Sequence, residues 1–168
     1  MRCNWLTPKA EARPAGLKGM GSFVIEPIAA GETVAAFGGF IVTADELAAL
    51  DEDRQSRSIQ VDEALWLASN VDPEPGDFVN HSCEPSCGLR SGMVVVAMRD
   101  LEVGEEITFD YAMCDGSPYD EFVCECGAPT CRRLITGGDW QDPELQARYQ
   151  GWFSPYLAKR IERLTVGG

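Results

Sequence analysis

A chain of 168 residues is long enough to bury one hydrophobic core and falls in the usual size range of one domain. Its 45% hydrophobic and 24% charged content excludes a disordered chain, and 17 Gly with 10 Pro favour many turns over long helices. With 27 acidic residues against 14 basic ones, the net charge of −13 repels phosphate backbones and argues against direct nucleic-acid binding. The N-terminus carries no apolar signal core, and the longest apolar stretch, 34–42, is far short of the roughly 18 residues that a membrane span needs. The expectation is a cytoplasmic protein that does not engage a membrane.

In chain order, a glycine-rich opening at 16–21 precedes two short apolar or alternating runs, 22–27 and 33–42, bounded by Gly and Pro and read as strands. Residues 43–53 predict one helix, with Thr43 as N-cap and Glu46 three residues on in a capping-box pattern. Residues 58–67 read as extended and the Pro-rich 71–76 as a turn. Runs 92–97 and 106–111 predict buried strands joined by a turn at 100–105. Residues 142–164 show apolar spacing of helical period, with a break near Ser154 and Pro155. No internal repeat or low-complexity segment is present.

Acid is concentrated between Asp45 and Asp77, where ten carboxylates face only Arg54 and Arg57. Such a stretch either serves as a solvated face that keeps the protein soluble or steers a basic peptide toward it.

Seven cysteines without a secretory signal make a disulfide framework improbable. Cys124, Cys126 and Cys131 place three thiols within eight residues on a loop containing Gly and Pro. Three soft ligands can wrap one zinc, and a structural site wants a fourth, which Cys83 or Cys87 in the run Asn80-His81-Ser82-Cys83-Glu84-Pro85-Ser86-Cys87 could supply. Without a metal these would be redox-active or merely buried thiols.

Four pieces now stand in a fixed order: Gly19-Met20-Gly21, the run 80–87, Gly104-Glu105-Glu106-Ile107-Thr108-Phe109-Asp110-Tyr111, and the cysteine cluster. Together they resemble the SET-domain family of lysine methyltransferases with its post-SET zinc segment, over about residues 16–132. The resemblance implies a mainly β fold of small curved sheets in which the Asn-His-Ser-Cys segment threads beneath the loop before the final strand as a pseudoknot; the C-terminal helices, read from apolar spacing, lie outside the motifs that carry it. The expected division is a SET domain (1–122), a post-SET zinc segment (123–133) and a C-terminal helical extension (134–168).

By the same resemblance Gly19, Met20, Gly21, Asn80 and His81 hold S-adenosylmethionine. The glycines let the main chain approach the ligand, Asn80 meets its amino-acid end, and His81 fixes the adenine end through imidazole and main chain rather than acting as a base. Tyr111 corresponds to the family's catalytic tyrosine, which orients a neutral lysine amine for in-line attack on a sulfonium methyl. Free lysine titrates near ~10.4, but an apolar channel beside a positive sulfonium disfavours its ammonium form. Phe109 matches the family's Phe/Tyr switch in the substrate channel, and a phenylalanine there predicts di- or trimethylation. For zinc, the family correspondence selects Cys83 rather than Cys87 beside Cys124, Cys126 and Cys131.

Two departures stand out. Asp77-Phe78-Val79 replaces the Arg-Phe pair often found ahead of Asn-His, leaving Lys18 or an upstream arginine to meet the cofactor carboxylate. Ser86 replaces an asparagine after Pro85. The expected partner is a protein presenting a lysine in a basic segment. Alternative readings are a non-catalytic SET-fold module that binds peptide or cofactor with structural zinc, or a small zinc or redox protein.

Overall fold

The computed structural model describes residues 3–166, with side chains to residue 164, so the outermost residues of the first and third expected segments lie outside it. The chain opens with β1 (Trp5–Leu6), β2 (Ala10–Pro14), β3 (Met20–Val24), β4 (Thr33–Ala36) and β5 (Phe40–Val42). The single helix expected over 43–53 is two, α1 (Ala44–Ala48) and α2 (Glu52–Ser56). Thr43 and Glu46 form the expected capping box, but Asp51 accepts from Arg54 N at 3.0 Å and caps a second helix. Leu47 is the one buried residue of the pair, so no continuous apolar stripe holds a longer helix together.

A hairpin of β6 (Ile59–Asp62) and β7 (Leu65–Ala68) covers the stretch expected to be extended. Then come β8 (Asn80–His81), β9 (Cys87–Arg90), β10 (Val94–Ala97) and β11 (Glu106–Phe109). A short pair follows, β12 (Phe122–Val123) with β13 (Leu134–Ile135). The chain closes with α3 (Pro143–Arg148) and α4 (Pro155–Val166), interrupted where the sequence places the break.

The described strands form four small sheets, ordered β1-β4-β10-β9, β2-β3-β11-β8, β5-β7-β6 and β12-β13. All pairings are antiparallel except β8 with β11, which sets Asn80 opposite Thr108 and His81 opposite Phe109. The chain then returns to β11. Ser86 Oγ accepts from Thr108 N at 3.1 Å and donates to the Glu106 carbonyl at 3.2 Å, so the serine pins the run 80–87 to the last core strand.

One core unites these sheets. It includes Ile28, Val34, Leu89, Val95, Leu101, Ile107 and Met113, together with Tyr149, Phe153, Tyr156 and Leu157 from the C-terminal helices and their connection. Burial of a Phe or Leu side chain contributes roughly 1.5–3 kcal/mol, so the helical extension is part of what holds the sheets together. At Gly88 a Cβ would collide with the Trp152 indole, so glycine lets that ring lie directly on β9. A second, small cluster holds Cys83, Cys124 and Ile135, with Tyr111, Phe122, Cys126 and Cys131 packed around it.

Candidate active site

Two cavities meet at Tyr111. The larger, of about 490 Å³, is lined by Lys18, Gly19, Met20, Asn80, His81 and Phe122 among others. The smaller, of about 40 Å³, runs between Phe37, Val79, Phe109, Tyr111, Asp115 and Tyr119. Besides Tyr111, the residues common to both are Ser56, Arg57, Asp77 and Asp120. The first cavity is of a size for a nucleoside-like ligand; the second has room for about three water-sized groups and admits only a slender side chain.

Local structure explains the first wall. Gly19 adopts φ +76°, a left-handed conformation that carries the chain from the 3-10 turn Gly16–Lys18 into β3 and leaves its backbone at the cavity. Gly21 is absent from the lining. A Cβ there would press on Glu106 Oε1, Ala15 Cβ and Asn80 Nδ2, so Gly21 makes room for Asn80 rather than for a ligand. The Asn80 amide donates to Met20 O at 2.8 Å and Glu106 Oε1 at 2.9 Å, which leaves its Oδ1 as the atom able to accept. Lys18 lines the cavity with its ammonium paired to Glu106.

His81 is turned inward. Its Nδ1 accepts the backbone N–H of Tyr111 at 3.2 Å, so the ring proton resides on Nε2, 3.3 Å from Cys83 Sγ. Burial pushes its pKa down to about 4, and the ring is neutral at physiological pH. Both nitrogens are committed within the protein. What His81 offers a ligand is main chain, while its imidazole bridges the cysteine cluster and Tyr111.

The Tyr111 ring does not lie on β11, as expected, but opens the 3-10 turn Tyr111–Met113 after that strand ends at Phe109. The two rings still meet, with centroids 5.0 Å apart, and His81 and Phe122 pack on Tyr111 at 5.3 and 5.9 Å. The Tyr111 hydroxyl donates to Val79 O at 3.3 Å. Burial first, then the carboxylates of Asp120 and Asp115, push this phenol well above its ordinary range. It is a hydrogen-bonding group, not a base.

Cys83, Cys124, Cys126 and Cys131 bring their Sγ atoms within 4.8 Å of one another, and Cys87 stands apart on β9. Four thiolates around zinc at about 2.3 Å lie about 3.8 Å from each other; the Cys83 and Cys124 sulfurs are already at 4.0 Å. The residues fit a tetrahedral zinc. Burial pushes Cys124 up to about 11. For Cys126 burial acts the same way, but backbone N–H groups of Cys83 and Ala128 and the neighbouring thiols outweigh it and bring the group down to about 6. Cys124 and Cys126 also line the larger cavity.

A second tie joins this loop to Tyr111. Arg132 grips the buried Asp110 in a bidentate pair at 2.7 and 2.8 Å, and its backbone N–H points to Cys83 Sγ at 3.4 Å. Tyr149 donates to Asp110 Oδ2 at 3.0 Å, so the C-terminal region buttresses the residue next to Tyr111. Asp77 is part of the scaffold. It bonds the Asn4 amide and Glu74 N and lies 3.5 Å from Arg57, whose own N–H groups are taken by Asp53, Ser69, Asn70 and Val71. Of the two cations among the described residues that line the larger cavity, Lys18 is the one not enclosed in this way. Sequence reasoning missed Phe37, Asp115, Tyr119, Asp120 and Phe122; a Phe two residues before Cys124 was the only local hint among them.

The SET domain family matches residues 19–112, more than half of the chain, and the chain belongs to that family. It is 33% identical over 129 residues to a histone-lysine N-methyltransferase, H3 lysine-4 specific, of Yarrowia lipolytica, covering 68% of this chain and 11% of that protein. To the histone-lysine N-methyltransferase ash1 of Drosophila melanogaster it is 32% identical over 144 residues, covering 79% and 6%. The chain thus spans about a tenth or less of these curated relatives. Arabidopsis thaliana SUVH6 in complex with SAM superposes with a TM-score of 0.63 at 16% identity, covering 77% of this chain and 33% of that one. KRYPTONITE in complex with mCHG DNA and SAH gives 0.59 at 24% identity, covering 74% and 28%. The shared fold is that of small curved sheets.

Proposed function

We propose that this chain transfers a methyl group from S-adenosylmethionine to a lysine side chain of a protein, with basic segments such as histone tails as the first substrate class to try. The observation that carries this reading is the meeting of a nucleoside-sized cavity and a narrow aromatic one at Tyr111. Family membership and the names of the relatives support it.

When bound, the cofactor supplies an electrophilic methyl on a cationic sulfur. Gly19 and Met20 would present backbone to it, Asn80 Oδ1 would accept from its ammonium, and Lys18 would meet its carboxylate. The larger cavity is lined by Asp53, Asp77, Asp120 and Glu125 against Lys18 and Arg57, a balance that suits a ligand carrying net positive charge. Phe37, Phe109 and Tyr119 would exclude water from the lysine chain, and Tyr111 would hold the amine lone pair in line with the methyl. Zinc on Cys83, Cys124, Cys126 and Cys131 would be structural, with no open position for chemistry. With its charge of −13 the chain is read as a cytoplasmic, protein-directed enzyme with no nucleic-acid or membrane surface of its own. Residues 1–122 would form the catalytic domain, 123–133 the zinc segment and 134–168 the helical support.

The test is transfer of a labelled methyl group to core histones and to a proteome-wide lysate, alongside calorimetry with S-adenosylmethionine. Label on lysine is the expected result; a chain that binds no S-adenosylmethionine ends the reading. Phe109 lines the narrow cavity without a hydroxyl to fix the amine. Mass spectrometry is therefore expected to find di- or trimethyl product from wild type and monomethyl product from Phe109→Tyr. Exclusive monomethylation by both would contradict it.

A further inference from the structure

Among the described residues two carboxylates of the narrow cavity, Asp115 and Asp120, have no ion-pair partner, and Asp115 is the more deeply buried. Asp115 is 7% exposed and lines the cavity with Phe37, Phe109, Tyr111 and Tyr119. Its Oδ1 accepts from the Tyr119 hydroxyl at 2.7 Å and the Cys114 thiol at 3.2 Å, while among the described residues its Oδ2 has no partner. The position is held firmly. Asp115 N donates to Tyr111 O at 2.8 Å, and the buried Gln60 Oε1 accepts from Gly116 N and Ser117 Oγ at 3.0 and 2.9 Å. The groups facing Asp115 are Cys114, Tyr119, Asp110, Tyr111 and Asp120 along its own stretch, Arg57 and Asp77 across the cavity, and Tyr156 from α4. Arg57 is the cation among them, with its N–H groups committed to Asp53, Ser69, Asn70 and Val71, and Arg160 of α4, which donates to the Gly116 carbonyl at 2.8 Å, is paired with Glu63.

A buried carboxylate without a counterion either stays neutral or awaits a cation. Burial, opposed by the Tyr119 and Cys114 hydrogen bonds, pushes Asp115 up to about 7, so both forms are available at physiological pH. The cation that this cavity is shaped to admit is a lysine side chain.

We infer that Asp115 is the proton acceptor of the narrow cavity: its free Oδ2 meets the incoming lysine ammonium and takes one proton from it before methyl transfer. This role rests on the methyl-transfer reading above. The N–H bond breaks with its electron pair left on nitrogen, and an O–H bond forms on Asp115. The lone pair then attacks the methyl carbon of S-adenosylmethionine while the C–S pair returns to sulfur. The proton would pass from Asp115 toward solvent by way of Asp120, which lines both cavities. Each further methylation repeats the cycle, because the methylated product leaves as an ammonium.

The experiment is kcat/KM for a lysine peptide between about pH 6 and 10 for wild type, Asp115→Asn and Tyr119→Phe, each checked for folding by circular dichroism. Wild type is expected to lose activity on the acid side as Asp115 protonates. Asp115→Asn should fall roughly 100-fold near neutral pH, and the deficit should close toward pH ~10, where solvent deprotonates the lysine. Tyr119→Phe removes a donor that favours the carboxylate, so its acid limb should move to higher pH. The role is overturned if Asp115→Asn keeps the wild-type profile or falls by one factor at every pH. Should Asp115→Asn fail to fold, an unmoved acid limb in Tyr119→Phe overturns it. Wild type that transfers no methyl at any pH would instead remove the reading on which the role rests.

Discussion

Tyr111→Phe is expected to lower kcat for methyl transfer roughly 10²–10³-fold, the usual cost of removing one preorganised hydrogen-bonding group from a reacting centre, with S-adenosylmethionine affinity unchanged within about twofold. The ring itself should stay in place. Phe109, His81 and Phe122 hold it by edge and tilted contacts that need no hydroxyl, and its backbone N–H remains on His81 Nδ1. Only the bond to Val79 O is lost, a neutral hydrogen bond worth about 1 kcal/mol of stability. The groups assigned to the cofactor, Gly19, Met20 and Asn80, lie on other elements, so calorimetry and single-turnover rates should separate. Because burial keeps the phenol protonated, the variant should be impaired by a similar factor across neutral pH. A Tyr111→Phe protein with wild-type kcat would show that the meeting point of the two cavities is not where chemistry occurs.

What the sequence could reveal followed how local each feature is. The Thr43 capping box and the helical break at Ser154 depend on neighbours within a few residues and appear as read, whereas the run read as one strand over 33–42 is two, β4 and β5, in different sheets. The restart at Asp51 was equally local, yet it was hidden because a second cap inside an acidic run looks like more helix surface. β8 was not legible at all: two residues become a strand only because β11, far along the chain, offers a parallel edge. The same limit applies to the site. Asn80, His81 and Tyr111 could be named from motif order, but tertiary packing decided that the imidazole faces inward and that Gly21 backs Asn80 instead of lining the cavity. Asp77, which looked like the loss of a cationic contact, is a buried tie between Asn4, Glu74 and Arg57. Asp115 and Tyr119 stand in a loop with no motif, and only burial gives them chemical interest.

Removing zinc is expected to abolish methyl transfer while the main core stays folded. The purified chain should carry one zinc, and a strong chelator should weaken S-adenosylmethionine binding by roughly tenfold or more, since zinc contributes on the order of 10 kcal/mol to the structure of small thiolate sites. The cysteine cluster has its own small apolar group, separate from the core that unites the sheets and C-terminal helices. Three buried residues cannot hold a loop closed unaided. Once free, the stretch Phe122–Cys126 no longer walls the larger cavity. Two ties to Tyr111 slacken with it, because Cys83 anchors His81 Nε2 and the residue after Cys131 is the arginine that grips Asp110. Hydrogen exchange should therefore show loss of protection at β12, β13 and residues 110–113, with β4, β9 and β10 unaffected. Cys83→Ser should reproduce this pattern, whereas Cys87→Ser, outside the cluster, should retain zinc and activity. Full activity in a chain stripped of metal would mean that the four thiols pack without a ligand and that the loop closes over the cavity by apolar contact alone.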